Sequence, residues 1–411
     1  MKELSIRDKC FDKKNRNQDT FVGLKCENDK FSVHFPLGFD IDEDDKVLRK
    51  DIILLIDTIA ATTGKKESSI YRQAGQYDYT MFPIQAYMSV IKDYYERGYY
   101  KEREIQYVVS KRGKIDWNRT IKTQNPYVQD NNVFYLNFVT RKNQVNENEL
   151  ISLIHEYCVY ESFCKIGWLF TTYIPQTPKI KFNKKLFKSV LIQKISETFN
   201  DRNRKLFNDM LAIVEYTGDS SVSKDYKFGT DRFEYVWEKL IDKTYGILDK
   251  KAYFPKTSWI IDGKKYENAC LEPDTIMLWN GNIYVLDAKY YKYGMTRQPS
   301  DLPESTSINK QITYGEYIAE QDRFKKLYGN NYKVFNAFLM PFSGTKSNIE
   351  NIGLGISNWK SNEKTYEKIQ GILVDVKHLM RVVVSRDEAE LAKMAECIEN
   401  MIEKEKDYAG T

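Results

Sequence analysis

Apolar residues recur every three to four positions over residues 51–61, 84–97, 147–168 and 184–216, the spacing that lays them along one face of an α-helix. Between the first pair and the second lies a β-prone run, residues 133–140 (VFYLNFVT), and a shorter strand-like run occupies residues 31–36. The stretch 217–230 is polar and rich in Ser, Asp and Gly, so it reads as a loop or linker. Beyond residue 230 the pattern changes. A helix over 233–248 leads into short strands, a helix over 308–327, two apolar strands at 334–340 and 369–376, and a closing amphipathic helix over 386–406. This order predicts a mixed α/β protein in three regions: an amino-terminal α+β region (1–145), a helical middle with its linker (146–229), and a carboxy-terminal region (230–411). In the last, helices flank a mixed sheet.

Composition narrows the class without naming a function. Of 411 residues, 42% are hydrophobic and 29% charged, the profile of a globular chain with a sizeable core. A net charge of +5 over so large a surface does not by itself point to nucleic acid. The cysteines (10, 26, 158, 164, 270 and 397) have no C-x-x-C spacing, and with only His34, His155 and His378 no zinc site can be assembled. The start, MKELSIRDKCFDKK, lacks the apolar segment of a signal peptide, and no run approaches the roughly 20 apolar residues of a membrane span. These features lead us to expect a cytoplasmic protein with free thiols and no membrane association. Gly64-Lys65-Lys66 lacks the hydroxyl residue after the lysine, and Ile59 stands where a phosphate-binding loop has its first glycine, so no nucleotide site is expected in this chain. Asn125-Pro126-Tyr127 lacks the second proline of an adenine-methyltransferase tetrapeptide and has no glycine-rich cofactor strand before it.

The chemistry concentrates in residues 272–289, EPDTIMLWNGNIYVLDAK. Asn280-Gly281 between two β-prone runs is a strong hairpin signal, because both residues accept the positive φ of a type I′ turn. With a two-residue loop, Trp279 faces Asn282 and Asp274 falls directly opposite Asp287. Two facing carboxylates repel, and folding alone does not favour them. A divalent cation between them reverses the sign, and hard oxygen ligands suit Mg²⁺, with Mn²⁺ a possible substitute. Lys289, two residues after Asp287, lies on the same strand face. Ile276, Leu278, Ile283 and Val285 form one apolar face, and Met277, Trp279, Tyr284 and Leu286 the other, so the hairpin should be covered on both sides.

The spacing P-D-x₁₂-D-x-K resembles the signature of the PD-(D/E)xK nuclease superfamily. That resemblance implies a further acidic residue from an upstream helix, where Glu234 and Glu238 share a face of FEYVWEKL and Glu238 is preferred. It also implies a supporting glutamine downstream, here Gln311 in KQITYGEYIAEQ, for which helix capping is an equal alternative. More closely, the chain resembles the LlaJI-family restriction endonucleases, relatives of the McrC nuclease subunit. The blocks that carry this are RGKIDWNRTI (112–121), VFYLNFVTRKNQ (133–144), FGTDRFEYVWEKL (228–240), VLDAKYYKYG (285–294), INKQITYGEY (308–317) and GILVDVKHLM (371–380). One departure is Gly315, where some relatives carry the Tyr of a Q-x₃-Y pattern. The resemblance implies a Mg²⁺-dependent endodeoxyribonuclease with Asp274, Asp287, Lys289, Glu238 and Gln311 in the catalytic site. The metal would be held by Asp274, Asp287, the Ala288 carbonyl and Glu238. It further implies cleavage of double-stranded DNA to 5′-phosphate and 3′-hydroxyl ends by the carboxy-terminal region (230–411), a McrB-like GTPase subunit docked by the amino-terminal region (1–145), and a cognate DNA methyltransferase.

Two basic stretches remain. Lys179, Lys181, Lys184, Lys185 and Lys188, continued by Lys194 and interleaved with Phe182 and Phe187, make a candidate DNA-backbone track, with a solvated helix face as the alternative. Lys111, Arg112, Lys114, Arg119 and Lys122 surround Trp117 and suit phosphates, a GTPase surface or plain solvent. Two other functions stay open at this point: a repair or recombination nuclease of the same fold, and a non-catalytic activator of a partner NTPase.

Overall fold

The computed structural model describes residues 5–12, 20–27, 30–62, 82–130, 132–146, 149–217, 225–344, 347–383 and 387–409. The fold is mixed α/β and falls into two compact units, one of residues 1–80 with 224–411 and one of residues 81–223.

This division cuts the chain at different places from the sequence boundaries, and one strand explains why. Tyr226–Thr230, inside the stretch read as a linker, is a β-strand antiparallel to Val22–Glu27. Together with Cys10–Phe11 and Lys30–His34 it makes a four-stranded sheet that draws the amino-terminal segment into the carboxy-terminal unit. Gly23 and Gly229 face each other in that ladder. A Cβ at Gly23, whose φ is +139°, would lie 2.1 Å from the Phe228 carbonyl oxygen, so the pairing needs glycine there. The Asp45–Thr62 helix completes the attachment by burying Leu48, Ile52, Leu55 and Ile59. Its buried Asp51 pairs with Lys377 at 2.5 Å, and Lys239 and Lys243 cap its last carbonyls, Thr62 and Ala61, at 3.0 and 2.8 Å.

The unit of residues 81–223 packs the Ile84–Arg97, Leu150–Ile166, Lys184–Glu197 and Asp201–Thr217 helices with a three-stranded sheet (Glu102–Val109, Val139–Asn146, Lys114–Ile115) and a ribbon, Pro126–Gln129 against Asn132–Tyr135. The single helix expected over 184–216 breaks at Thr198, whose backbone is extended. The β-prone run 133–140 is likewise shared between two separate strands.

The other unit is built on a five-stranded sheet: β1 (Thr275–Trp279), β2 (Asn282–Ala288), β3 (Val334–Phe342), β4 (Ile349–Gly355) and β5 (Ile369–Asp375), in the order β1-β2-β3-β5-β4. β2, β3 and β5 run parallel, while β1 and β4 are antiparallel edges. Every residue of β3 is buried, as a strand covered on both faces requires. Ile276, Ile283 and Val285 pack with Tyr314 and Ile318 of the Ser305–Glu320 helix. From the opposite face Tyr284 stacks on Phe335 and bonds Glu399 of the closing helix. Trp237 of the Phe233–Tyr245 helix is fully buried and donates its indole N–H to the Leu339 carbonyl at 3.1 Å. These contacts fix the ends of β1 and β2, where the charged residues lie.

Candidate active site

The hairpin forms as its turn chemistry dictates. Asn280 and Gly281 take φ of 46° and 77°, a type I′ turn. The register pairs Trp279 with Asn282 and Thr275 with Leu286. One step beyond the ladder, Asp274 stands across from Asp287, and its Oδ2 accepts a hydrogen bond from the Ala288 amide at 2.9 Å. Asp287 is buried (6% exposed) and forms an ion pair with Lys289. Glu238 approaches from the Phe233–Tyr245 helix: burial raises its pKa first and the charge of Asp287 second, while Lys289 opposes both. Glu234, one turn earlier, is instead paired with Arg232 at 3.1 Å.

Three carboxylates around one lysine give the site an unbalanced charge. Burial, then Asp287, then Glu238 push the Asp274 carboxyl up to about 7, against the opposing pull of the Ala288 amide and Lys289. For Lys289 burial acts to lower the pKa, but the carboxylate of Asp287 outweighs it and the net direction is up, so the side chain is an ammonium at neutral pH. Such mutual repulsion among buried acids is what a bound cation relieves, and the donors are hard oxygens. Among the described residues no three acidic, histidine or cysteine side chains gather into a complete metal cluster.

The sequence profile of the LlaJI restriction endonuclease family matches residues 21–358, most of the chain. The chain belongs to that family. A curated relative, the type II restriction enzyme BsuMI component YdjA of Bacillus subtilis (strain 168), is 25% identical over 276 residues. That match covers 62% of this chain and 57% of the relative, so the chain spans little more than half of that protein's length. Among solved structures, a Thermococcus gammatolerans assembly of McrB AAA+ hexamers with bound McrC contains a similar chain. It is 17% identical with a TM-score of 0.35, the match covering 89% of this chain and 82% of that one.

In this LlaJI-family chain several residues that sequence reasoning passed over hold the hairpin end in place. Lys250 donates to the backbone carbonyl of Asp274 and to Asp242 Oδ1, the latter at 2.8 Å. Asp242 also accepts from Thr275 Oγ1 at 3.2 Å. Tyr314 is buried, and its hydroxyl donates to the Glu272 carbonyl at 3.3 Å. Lys310 lies 5.7 Å from its ring. The four-residue spacing of Lys310 and Tyr314 on one helix face was the only signal in the sequence. A groove of about 710 Å³ opens beside Asp274, lined by Glu238, Lys239, Lys250, Lys251, Lys256 and Glu272 among others.

Gln311 sits in mid-helix, so it caps nothing, and it makes no hydrogen bond to an acid of the site. Its buried side-chain amide donates to the Val285 carbonyl at 2.8 Å and toward Asn336 Oδ1 at 3.4 Å, bracing β2 two residues before Asp287. The missing tyrosine of the Q-x₃-Y pattern has a steric cause. A Cβ at Gly315 would stand 2.6 Å from both Asn336 Nδ2 and Tyr366 Cβ. Gln311→Ala leaves a buried carbonyl without its donor and should cost roughly 1–3 kcal/mol of stability, measurable by urea unfolding. Lost cleavage with unchanged stability would instead put Gln311 in the chemistry.

The basic stretches belong to the other unit. Lys179, Lys181, Lys185 and Lys188 are exposed and Lys184 is half-buried, while Phe187 and Leu191 turn the other side of their helix inward. Lys188 pairs with Glu215 at 2.7 Å. Near Trp117, which is about half exposed, Arg119 stacks on Tyr107 at 3.7 Å. Asp116 caps the Trp117–Thr123 helix and pairs with Arg141 at 2.8 Å. Residues 64–66 lie outside the described residues, and no described helix is long and apolar enough to cross a membrane.

Proposed function

We propose that this chain is the DNA-cleaving subunit of a restriction system, a Mg²⁺-dependent endonuclease that also accepts Mn²⁺ and hydrolyses phosphodiester bonds in double-stranded DNA. The observation that carries the reading is that Asp274 lies across from Asp287, with Lys289 paired to Asp287 on the same strand face.

Asp274 and Asp287 would hold the cation, with the Ala288 carbonyl and Glu238 as the remaining donors, Glu238 acting through water. When bound, such a cation supplies charge neutralisation at the phosphate and a more acidic water. Lys289 is paired with Asp287, whose carboxylate raises its pKa. It donates hydrogen bonds to the phosphate oxygen on which charge develops and orients the attacking water. Water attacks phosphorus and gives up a proton to solvent, the bond to the 3′ oxygen breaks, and that oxygen takes a proton from solvent, so one water is consumed and 5′-phosphate and 3′-hydroxyl ends remain.

The rest of the system follows from the family resemblance. A McrB-like GTPase subunit would supply the motor, and a cognate methyltransferase would protect the host DNA. The unit of residues 81–223 is the better candidate for docking the GTPase. Its ribbon of residues 126–135 exposes Tyr127, Val128, Val133 and Phe134 and carries no lysine or arginine, a surface that suits another protein. Lys179, Lys181, Lys184, Lys185 and Lys188 would track the DNA backbone.

The test is plasmid cleavage by the purified chain with Mg²⁺ or Mn²⁺, with and without a McrB-like GTPase, on methylated and unmethylated DNA. Divalent-dependent cutting that EDTA stops is the expected result. A chain that raises GTP turnover by the partner yet never nicks DNA with either metal would be an activator, and the nuclease reading would fail.

A further inference from the structure

Just before Asp274 the chain leaves the sheet-bearing core as a second two-stranded ribbon, Ser258–Ile261 against Lys264–Glu267. Asp262 and Gly263 turn it with φ of 49° and 74°, again a type I′ turn. All eight ladder residues are exposed, Trp259 by 66% and Ile260 by 75%. Trp259 pairs with Tyr266 and Ile261 with Lys264 on one face, while Ile260 and Lys265 share the other. An isolated two-stranded ribbon is marginal in water, and one that holds an aromatic pair in solvent is built to be covered.

Charge identifies the cover. From Lys250 to Glu267 stand five lysines (250, 251, 256, 264 and 265) against two acids, Asp262 and Glu267, the excess coming from the three lysines that precede the ribbon. Lys265 reaches Glu267 at 3.4 Å, an exposed pair that a phosphate can displace at little cost. The ribbon is also tied to the site. Asn268 N bonds the Thr257 carbonyl and Leu271 N the Pro255 carbonyl, both at 2.9 Å, and Glu272, Pro273 and Asp274 follow at once. Lys256, two residues before the ribbon, lines the groove beside Asp274 with Lys250 and Lys251, among the acids Glu238, Asp242, Asp249 and Glu272. The ribbon of residues 126–135 is equally exposed but has no cation, so the two arms offer different chemistry.

We propose that the 258–267 ribbon is a DNA-binding arm. It rests on the nuclease reading above and places duplex DNA across the groove beside Asp274. Lys256, Lys264 and Lys265 contact backbone phosphates, and the Trp259–Tyr266 face lies in the major groove next to the scissile bond. Four residues at roughly 3.4 Å each give the ribbon a reach close to the width of that groove, which admits a two-stranded β-ribbon.

The experiment uses the full chain. Duplex binding is followed by fluorescence anisotropy in an Asp287→Ala background, and cleavage in the otherwise unaltered chain. Two ribbon variants are compared, Trp259→Ala/Tyr266→Ala and Lys264→Gln/Lys265→Gln, with thermal melts to establish that both fold. Each should weaken duplex binding at least tenfold. The lysine pair should also flatten the slope of log affinity against log salt by about 2, and the aromatic pair should leave that slope unchanged. A parent that binds and cuts, with both variants matching it, overturns the arm and leaves the nuclease reading standing. Unchanged DNA binding with lost association to a GTPase subunit identifies a protein-docking arm and also overturns the proposal. A parent that neither binds nor cuts sinks both readings together.

Discussion

Asp287→Ala should lower Mg²⁺-dependent plasmid cleavage by roughly three orders of magnitude or more, the scale on which enzymes depend on a bound cation and its charge stabilisation. Asp287 serves two partners: it faces Asp274 across the hairpin and pairs with Lys289. Its loss removes one side of the proposed cation site and releases the ammonium from its position. The fold should survive, because the side chain lies at the end of β2 and the apolar faces of β1 and β2 are untouched. Duplex binding should also survive, since the proposed phosphate contacts come from lysines elsewhere. The measurements are supercoiled-plasmid nicking over a Mg²⁺ titration, with circular dichroism and anisotropy on the same preparations. Cleavage retained within tenfold of the parent would remove Asp287 from the scheme.

The hairpin was legible because its determinants are local. A type I′ turn accepts Asn-Gly, a two-residue loop leaves one register, and a period of two then assigns every side chain to a face. Ile276, Ile283 and Val285 accordingly pack as one cluster, and Tyr284 turns to the opposite side. What the sequence hid was non-local. Tyr226–Thr230 reads YKFGT, too short and polar to announce a strand, and its partner lies about two hundred residues earlier at Val22–Glu27. No periodicity links two such segments, so the strand pairing that joins residues 22–27 to 226–230 is not legible in the sequence. Helix breaks were hidden for a related reason. Thr198 and Gln321 leave the helical region without proline or glycine to mark the place, and the expected helix over 308–327 becomes Ser305–Glu320 followed by Asp322–Tyr328.

Around the site the same division holds. Asp274, Asp287 and Lys289 follow from one motif, whereas Lys250 and Asp242 reach the hairpin from a helix and its following loop. Lysine and aspartate carry no mark distinguishing a clamp from a solvated surface pair, and only their tertiary positions do so. Gln311 was visible as a residue but not as a contact: its amide braces the Val285 carbonyl, which supports the strand that bears Asp287.

The clearest consequence of crowding three acids is a trade between stability and activity at Asp274. Its carboxyl is pushed up to about 7 from an ordinary 3.8, by burial first and then by Asp287 and Glu238. Between those values the folded chain holds a proton that the unfolded chain has lost. Stability of the metal-free protein should therefore fall as pH rises from about 4 through 7, and the penalty is complete above that. Asp274→Asn keeps an oxygen to accept from the Ala288 amide but removes the charge, so it should flatten this pH dependence. At pH 8 in EDTA it should leave the protein more stable than the parent, because the charge that burial and the neighbouring acids disfavour is gone. The same variant should lose cleavage, and Mg²⁺ should raise the melting temperature of the parent but not of the variant, since a ligand of the folded state stabilises only the chain that binds it. Thermal melts from pH 5 to 8, with Mg²⁺ and with EDTA, read all three effects. A variant less stable than the parent at pH 8 without metal, or one that Mg²⁺ stabilises equally, would mean that the repulsion between Asp274, Asp287 and Glu238 does not govern this site.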